Sequence, residues 1–207
     1  PLGSDYKELL FAAGGDGAFL MQGHALHIWP RGHHMLMALP NRDGSFTGTL
    51  YLPSEGEHSF ATLSDAVAVD AYFGQYFADA VPLLGDLADQ LLVNPKGHLG
   101  TVRCAPWSLG GRVLLVGDAA HGIVPFFGQG LNCGFEDCEV LVDLLSGSSQ
   151  DLEAVFGEFF GRRKANADAI ADMALENFVE MCDHVGAPVF LMRKQVASRL
   201  EKAFPDR

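Results

Sequence analysis

The chain has 207 residues, 48% of them hydrophobic and 19% charged, which is ample for a compact core and excludes a disordered or fibrous chain. With 14 Lys and Arg against 26 Asp and Glu, the net charge of -12 repels both a phosphate backbone and an anionic membrane surface, so nucleic acid is not an expected partner. Cys104, Cys133, Cys138 and Cys182 form no CxxC pair, no apolar run approaches the roughly 20 residues of a membrane span, and no signal-peptide pattern opens the chain, which together predict a cytoplasmic protein with neither a zinc site nor a dense disulfide framework.

Pro1-Leu-Gly-Ser4 has the form of a scar left by removal of an expression tag and is set aside from fold reasoning. From residue 18 to 52, short apolar runs are broken by Gly, Pro and Asn. Ala25-Leu-His-Ile-Trp29, Met35-Leu-Met-Ala-Leu39 and Phe46-Thr-Gly-Thr-Leu-Tyr-Leu52 read as successive strands, with Asn41-Arg-Asp-Gly44 as a turn. In the last run Phe46, Gly48, Leu50 and Leu52 alternate with Thr47, Thr49 and Tyr51, which places one face on a core.

Between residues 65 and 92, Val69, Tyr72, Phe73, Tyr76 and Phe77 recur at helical spacing and Pro82 starts or interrupts a second helix. Residues 99–107 read as a further strand-like region. Arg112-Val-Leu-Leu-Val116 reads as a short buried strand that ends at Gly117.

A helix opens at or just after Asn132, with Phe135, Cys138, Val142 and Leu145 on one face and Glu136, Glu139 and Asp143 toward the other. Gly147-Ser-Ser breaks it. An amphipathic helix with the stripe Leu152, Val155, Phe156, Phe159 and Phe160 follows, then a long helix over 165–185 that Gly186-Ala-Pro188 ends, then a final helix. The run Arg162-Arg-Lys164 reads as a solvated helix face.

The chemistry concentrates between Val113 and Cys138. A strand that delivers Gly117 and Asp118 at its carboxyl end puts an acidic acceptor where open α/β sheets bind ligands, suited to the hydroxyls of a sugar. Gly128-Gln-Gly130 lets backbone come close to a ligand, and the helix start at Leu131 and Asn132 offers unpaired N–H groups and the positive end of a dipole. Pro125, Phe126 and Phe127 supply an apolar wall for an aromatic ring, and His121, at a strand–helix junction, is given a structural role.

Gly-Asp-Ala-Ala-His (117–121) followed by Pro-Phe-Phe-Gly-Gln-Gly-Leu-Asn (125–132) resembles the second flavin motif of the single-component FAD-dependent aromatic hydroxylases. The longer run to Cys138 is similar to the kynurenine 3-monooxygenase family in particular. Tyr6-Lys-Glu-Leu9, Ala25 to Arg31, Met35 to Asn41 and Glu176-Asn-Phe-Val-Glu-Met181 extend the resemblance over nearly the whole chain.

The resemblance implies a mixed α/β (α+β) fold, part of the FAD-dependent aromatic hydroxylase architecture. A substrate-domain sheet with helices would occupy 5–107, a flavin-binding segment 108–147 and a C-terminal helical region 148–207. It implies FAD and NADPH as cofactors and L-kynurenine and molecular oxygen as small-molecule partners. Gly117, Asp118, Gly130, Leu131 and Asn132 would bind the flavin, and Asn177 the substrate. Helical spacing puts Glu180, Met181 and His184 on the face of Asn177, so Glu180 and Met181, with Phe126 of the apolar wall, join it as candidate substrate contacts.

Gly15-Asp-Gly-Ala-Phe19 imitates another motif of the family but stands at the wrong place in the order, and is read as a loop. A GxGxxG after a first strand, which holds the ADP half of FAD, is absent from these residues, so this stretch alone is expected to bind FAD poorly.

Overall fold

The structure is a computed structural model that describes residues 2–147, 151–184 and 188–204. The chain divides into two compact units: one runs Gly100–Phe178, and the other joins Gly3–Leu99 to the residues from Val179 onward. The helix after residue 150 falls mostly in the first of these units, and the turn Glu180–His184 in the second.

The sheet unit contains five antiparallel strands in the order β2-β3-β4-β1-β5: β1 (Ser4–Phe11), β2 (His27–Pro30), β3 (Met35–Pro40), β4 (Phe46–Pro53) and β5 (Lys96–His98). The period-two pattern in β4 holds from Phe46 to Leu50, after which Tyr51 is buried as well. Phe46, Leu50 and Leu52 are fully buried on the face that α1 (Ala66–Tyr76) and α2 (Leu87–Val93) cover, together with Leu9, Phe11, Leu36, Val69, Phe73, Phe77 and Leu91. Gly48 is required there, since a Cβ would stand 2.5 Å from the Phe11 ring.

Asp65 caps α1 by accepting from the Ala68 N–H at 2.9 Å, which fixes the helix where the periodicity predicts it. Pro82 sits in a one-turn 3-10 helix, Val81–Leu83, between α1 and α2. Beyond the three-residue β5, the edge of β1 is covered by side chains of α2 and its cap. Gln90 Oε1 accepts from the Leu10 N–H at 2.6 Å and Asn94 Nδ2 donates to the Glu8 carbonyl at 2.7 Å.

In the other unit, β6 (Ser108–Leu109) and β7 (Val113–Leu114) form a two-residue hairpin around a 3-10 turn. Three helices follow: α3 (Asp118–His121), α4 (Gly130–Leu145) and α5 (Leu152–Val179). Their core gathers Trp107, Ala120, Cys133, Phe159 and Ala167, with Trp107 packed against the rings of His121, Phe159 and Phe160. The chain ends in α6 (Pro188–Ala203), after a π-helical turn Glu180–His184 that lies against β2.

Four expectations are corrected. Residues 99–107 form no strand: β5 ends at His98, and the next strand residue is Ser108. The strand at 112–116 shrinks to Val113–Leu114 and is not buried, because among the described residues β7 pairs only with β6. The two helices expected on either side of residues 161–164 are one continuous α5, since Gly161 is a single weak helix former inside a long periodic pattern. Within the run 162–164, Arg163 is 1% exposed rather than solvated, while Arg162 and Lys164 pair outward with Glu158 and Asp168.

Among the described residues no helix is long and apolar enough to cross a membrane, no group of three or more His, Cys, Asp or Glu side chains can hold a metal ion, and Cys104, Cys133 and Cys138 are in no disulfide.

Candidate functional site

Three residues past β7, Gly117 has φ 60° and ψ -138°, a conformation open to glycine, and so turns the chain sharply into α3. Asp118 opens α3 and is exposed, while His121 at its other end is buried. The chain then passes through the 3-10 turn Pro125–Phe127 to Gly128, again left-handed at φ 65°, and enters α4 at Gly130. The expected start at Asn132 comes two residues early because Gln129 already accepts the first helical bond, from the Cys133 N–H at 2.9 Å. The N–H groups of Gly130, Leu131 and Asn132 consequently precede the helical ladder and have no acceptor within it.

A cavity of about 610 Å³ opens between these turns, lined by Gly117, Asp118, Ile123, Pro125, Gly128, Gly130, Leu131, Gly134, Phe135 and Cys138. Four of the expected flavin residues, Gly117, Asp118, Gly130 and Leu131, meet there. Asn132 lines a smaller cavity of about 100 Å³ on another side of α4, where its side chain donates to Gln129 Oε1 at 2.9 Å.

The glycines make the larger hollow. A Cβ on Gly117, Gly128 or Gly130 would meet nothing within 4 Å, and one on Gly134 only the Gly117 backbone at 3.9 Å. The apolar face of α4 is largely exposed: Phe135 is 63% and Val142 60% exposed, and Phe135 and Cys138 border the cavity. The opposite side of α4, carrying Cys133 and Asp137, is the buried one.

Asp137, which sequence reasoning did not single out, is fully buried behind the cavity wall. Its Oδ2 accepts from the Gly117 N–H at 2.9 Å and lies 2.6 Å from His121 Nε2, and its Oδ1 accepts from Arg163 Nε at 2.7 Å. Burial pushes its pKa up, but the hydrogen bonds from Arg163, Gly117 and His121 outweigh that and hold the carboxyl below its ordinary range. Arg163 also meets Glu136 Oε1 at 2.6 Å and the Cys133 carbonyl at 3.2 Å. Burial pushes the Cys133 thiol up, which keeps it protonated at neutral pH.

The expected substrate residues fall at several places. Phe126 is buried, with one face of its ring stacked on Phe178 at 4.4 Å between centroids, while Phe127 is 40% exposed. Asn177, near the end of α5, donates its Nδ2 to the Phe126 carbonyl and so braces the Pro125–Phe127 turn. Glu180 and Met181 belong to the sheet unit, in the π-helical turn, where Glu180 is exposed and Met181 is 7% exposed. The widened turn changes the helical register after Val179, so the regular spacing from Asn177 to Met181 does not continue as one face.

A glycine-lined hollow beneath a helix N-terminus, with one exposed carboxylate at its rim, suits a ligand with hydroxyls at one end and an electron-rich ring at the other. A family model described as an FAD binding domain matches residues 96–150. Kynurenine 3-monooxygenase of Myxococcus xanthus (strain DK1622) is 57% identical over 204 residues, which is 99% of this chain and 44% of that protein. The enzyme of the same name from Stenotrophomonas maltophilia (strain K279a) is 46% identical over 214 residues, 100% of this chain and 47% of that protein. The chain thus spans less than half the length of these curated relatives.

Among solved structures, the tetrameric form of 2-methyl-3-hydroxypyridine-5-carboxylic acid oxygenase matches with a TM-score of 0.66 at 20% identity, over 91% of this chain and 51% of that one. Klebsiella pneumoniae HpxO complexed with FAD and uric acid matches with a TM-score of 0.61 at 20% identity, over 97% and 49%. The fold is shared with these proteins, and the resemblance read from residues 117–138 extends along the full chain.

Proposed function

We propose that this chain, a kynurenine 3-monooxygenase relative along its whole length, is the flavin-facing part of an FAD- and NADPH-dependent monooxygenase that hydroxylates L-kynurenine to 3-hydroxykynurenine. The observation that carries the reading is the hollow made by Gly117, Gly128, Gly130 and Gly134, whose Cβ directions point into open space beside Asp118 and the first turn of α4. Those residues fit FAD. Asp118 accepts hydrogen bonds from its sugar-like hydroxyls, and the N–H groups of Gly130, Leu131 and Asn132 face its electron-rich carbonyls. Residue 118 has to stay exposed to do this, and it is.

When bound, FAD would supply the redox chemistry, with NADPH as reductant and molecular oxygen as the source of one oxygen atom for the substrate and one for water. The chain's own part is placement and shielding. The N-terminus of α4 favours negative charge on a bound ring, and Pro125, Ile123 and Phe135 present apolar surface that excludes water. Asn177 fixes the Phe126 carbonyl, and with it the turn that enters α4. Asn177 is assigned to the substrate side because the resemblance places it there, Phe126 because its turn offers an apolar wall, and Glu180 and Met181 only from their spacing after Asn177.

The test is made on the full-length protein. Purified material should carry or take up FAD, oxidise NADPH faster when L-kynurenine is added, and release 3-hydroxykynurenine. Binding of FAD without any stimulation by kynurenine would reject the substrate, and failure to bind FAD would reject the reading of the hollow.

A further inference from the structure

The cavity is backed by a group of buried charges for which the proposed reaction has no use. Asp137 and Arg163 are 0% and 1% exposed and come from different helices, α4 and α5. A buried ion pair adds little net stability compared with apolar side chains of the same size, so its value has to be sought in what it holds. Here it holds the turn at Gly117. The left-handed Gly117 presents its N–H to Asp137 Oδ2 at 2.9 Å, and His121, four residues on, meets the same oxygen at 2.6 Å. Both ends of the short segment that carries Asp118 are therefore tied to one carboxylate oxygen.

We propose that Asp137 is a positioning residue for flavin binding: it holds the Gly117–His121 segment in the form that presents Asp118 to the cofactor, and Arg163 orients and neutralises it for that task. The inference rests on the FAD reading above. The geometry needs a carboxylate. Oδ1 takes the Arg163 Nε–H while Oδ2 takes the Gly117 and His121 N–H groups, and an amide, with one acceptor and one donor, would turn an N–H toward another N–H on one side or the other. Ionisation is secured as well, since the three donors hold the carboxyl below its ordinary range despite burial. The role is distinct from general core stability, because the atoms held are those next to the ligand: Gly117 and Asp118 line the cavity, whereas Asp137 and Arg163 do not.

The experiment uses the full-length apoprotein and reads FAD affinity by flavin fluorescence at a temperature where circular dichroism shows each protein folded. The proteins compared are wild type, D137N, H121A, H121Q and, as a control beside the buried arginine, R162Q. D137N and H121A should bind FAD about tenfold or more weakly, the size of one lost charge-assisted hydrogen bond. H121Q, which restores an N–H toward Asp137, should recover most of the loss, and R162Q should match wild type. Folded D137N and H121A with affinities within about twofold of wild type would overturn the proposal and leave the network a purely structural role. If D137N does not fold, H121A against H121Q decides. Wild type that fails to bind FAD would instead reject the cofactor reading itself, an outcome that these variants cannot produce.

Discussion

Arg163 of α5 and Asp137 of α4 meet as a buried ion pair, Nε to Oδ1 at 2.7 Å, and the other Asp137 oxygen is where the Gly117 N–H ends. Removing one partner leaves the other charge buried and uncompensated. Arg163→Met should therefore cost about 3 kcal/mol or more of unfolding free energy, whereas Arg162→Met, which loses only an exposed pair with Glu158, should cost under about 1 kcal/mol. Urea unfolding of the two variants side by side checks this. Equal midpoints would mean that Arg163 is not buried as described.

Asp118 offers the complementary case, a residue at the cavity rim that contributes little to the fold. It is exposed, and its one structural service is a negative charge in the first turn of α3. Asp118→Ala should leave the unfolding midpoint nearly unchanged, within about 0.5 kcal/mol. FAD affinity in the full-length protein should fall about tenfold or more, through lost hydrogen bonds to the cofactor's hydroxyls. Fluorescence titration and thermal melts on the same preparation separate the two effects.

Much of this site was legible in the sequence because its requirements are backbone requirements. Gly117 and Gly128 have positive φ, Gly130 opens a helix, and such needs restrict residue type enough to leave a readable motif. The hairpin strands β3 and β4 were legible for a similar reason, since period two over Phe46–Leu52 fits no helix. The buried charges were harder to see. Arg163 stands in a basic run that suggests solvent, yet it lies on the stripe Val155, Phe159, Arg163, Ala167, Ala171, which repeats every four residues and is buried throughout. That spacing is the signal that could have found it. Asp137 follows Cys133 by four residues in the same way, but the more apolar Phe135 face competed with it, and that face turns to the cavity instead. β1 was missed as a central strand because Tyr6-Lys-Glu-Leu9 alternates poorly, and its pairing with β4 overrides local preference.

Asn177 links the long helix to the turn before α4 through the Phe126 carbonyl, and Phe178 stacks on the Phe126 ring beside it. Asn177→Ala removes the Nδ2 donor to the Phe126 carbonyl and with it the brace on the turn. On the proposed function, kcat/KM for kynurenine in the full-length protein should drop by about tenfold to a hundredfold, the range expected when one hydrogen bond that positions a site is lost. FAD affinity should change less than it does in Asp118→Ala, because Asn177 does not line the glycine hollow. Steady-state kinetics at saturating FAD checks the first statement and titration the second. An unchanged kcat/KM would remove Asn177 from the substrate side.

In the sheet unit, His34 supplies a pH dependence of its own. It is 7% exposed, hydrogen-bonded through Nδ1 to the Tyr72 hydroxyl and stacked at 5.8 Å on His58. Burial, followed by the nearby His58, His33 and Arg31, lowers its pKa from 6.5 to about 4. The unfolded chain therefore takes up a proton at this residue near pH 6.5, while the folded chain refuses it until about pH 4. Acid favours the unfolded state across that window, so the contribution is fully present above about 6.5, declines as pH falls, and is exhausted below about 4. Between pH 7 and pH 5 the loss attributable to His34 should be on the order of 2 kcal/mol. The paired variant His34→Phe with Tyr72→Phe removes the titrating ring without stranding the hydroxyl, and should unfold in urea with a correspondingly shallower dependence on pH than wild type. If wild type and the double variant lose stability in parallel from pH 7 to pH 5, His34 is protonated in the folded protein and its burial is not what sets its charge.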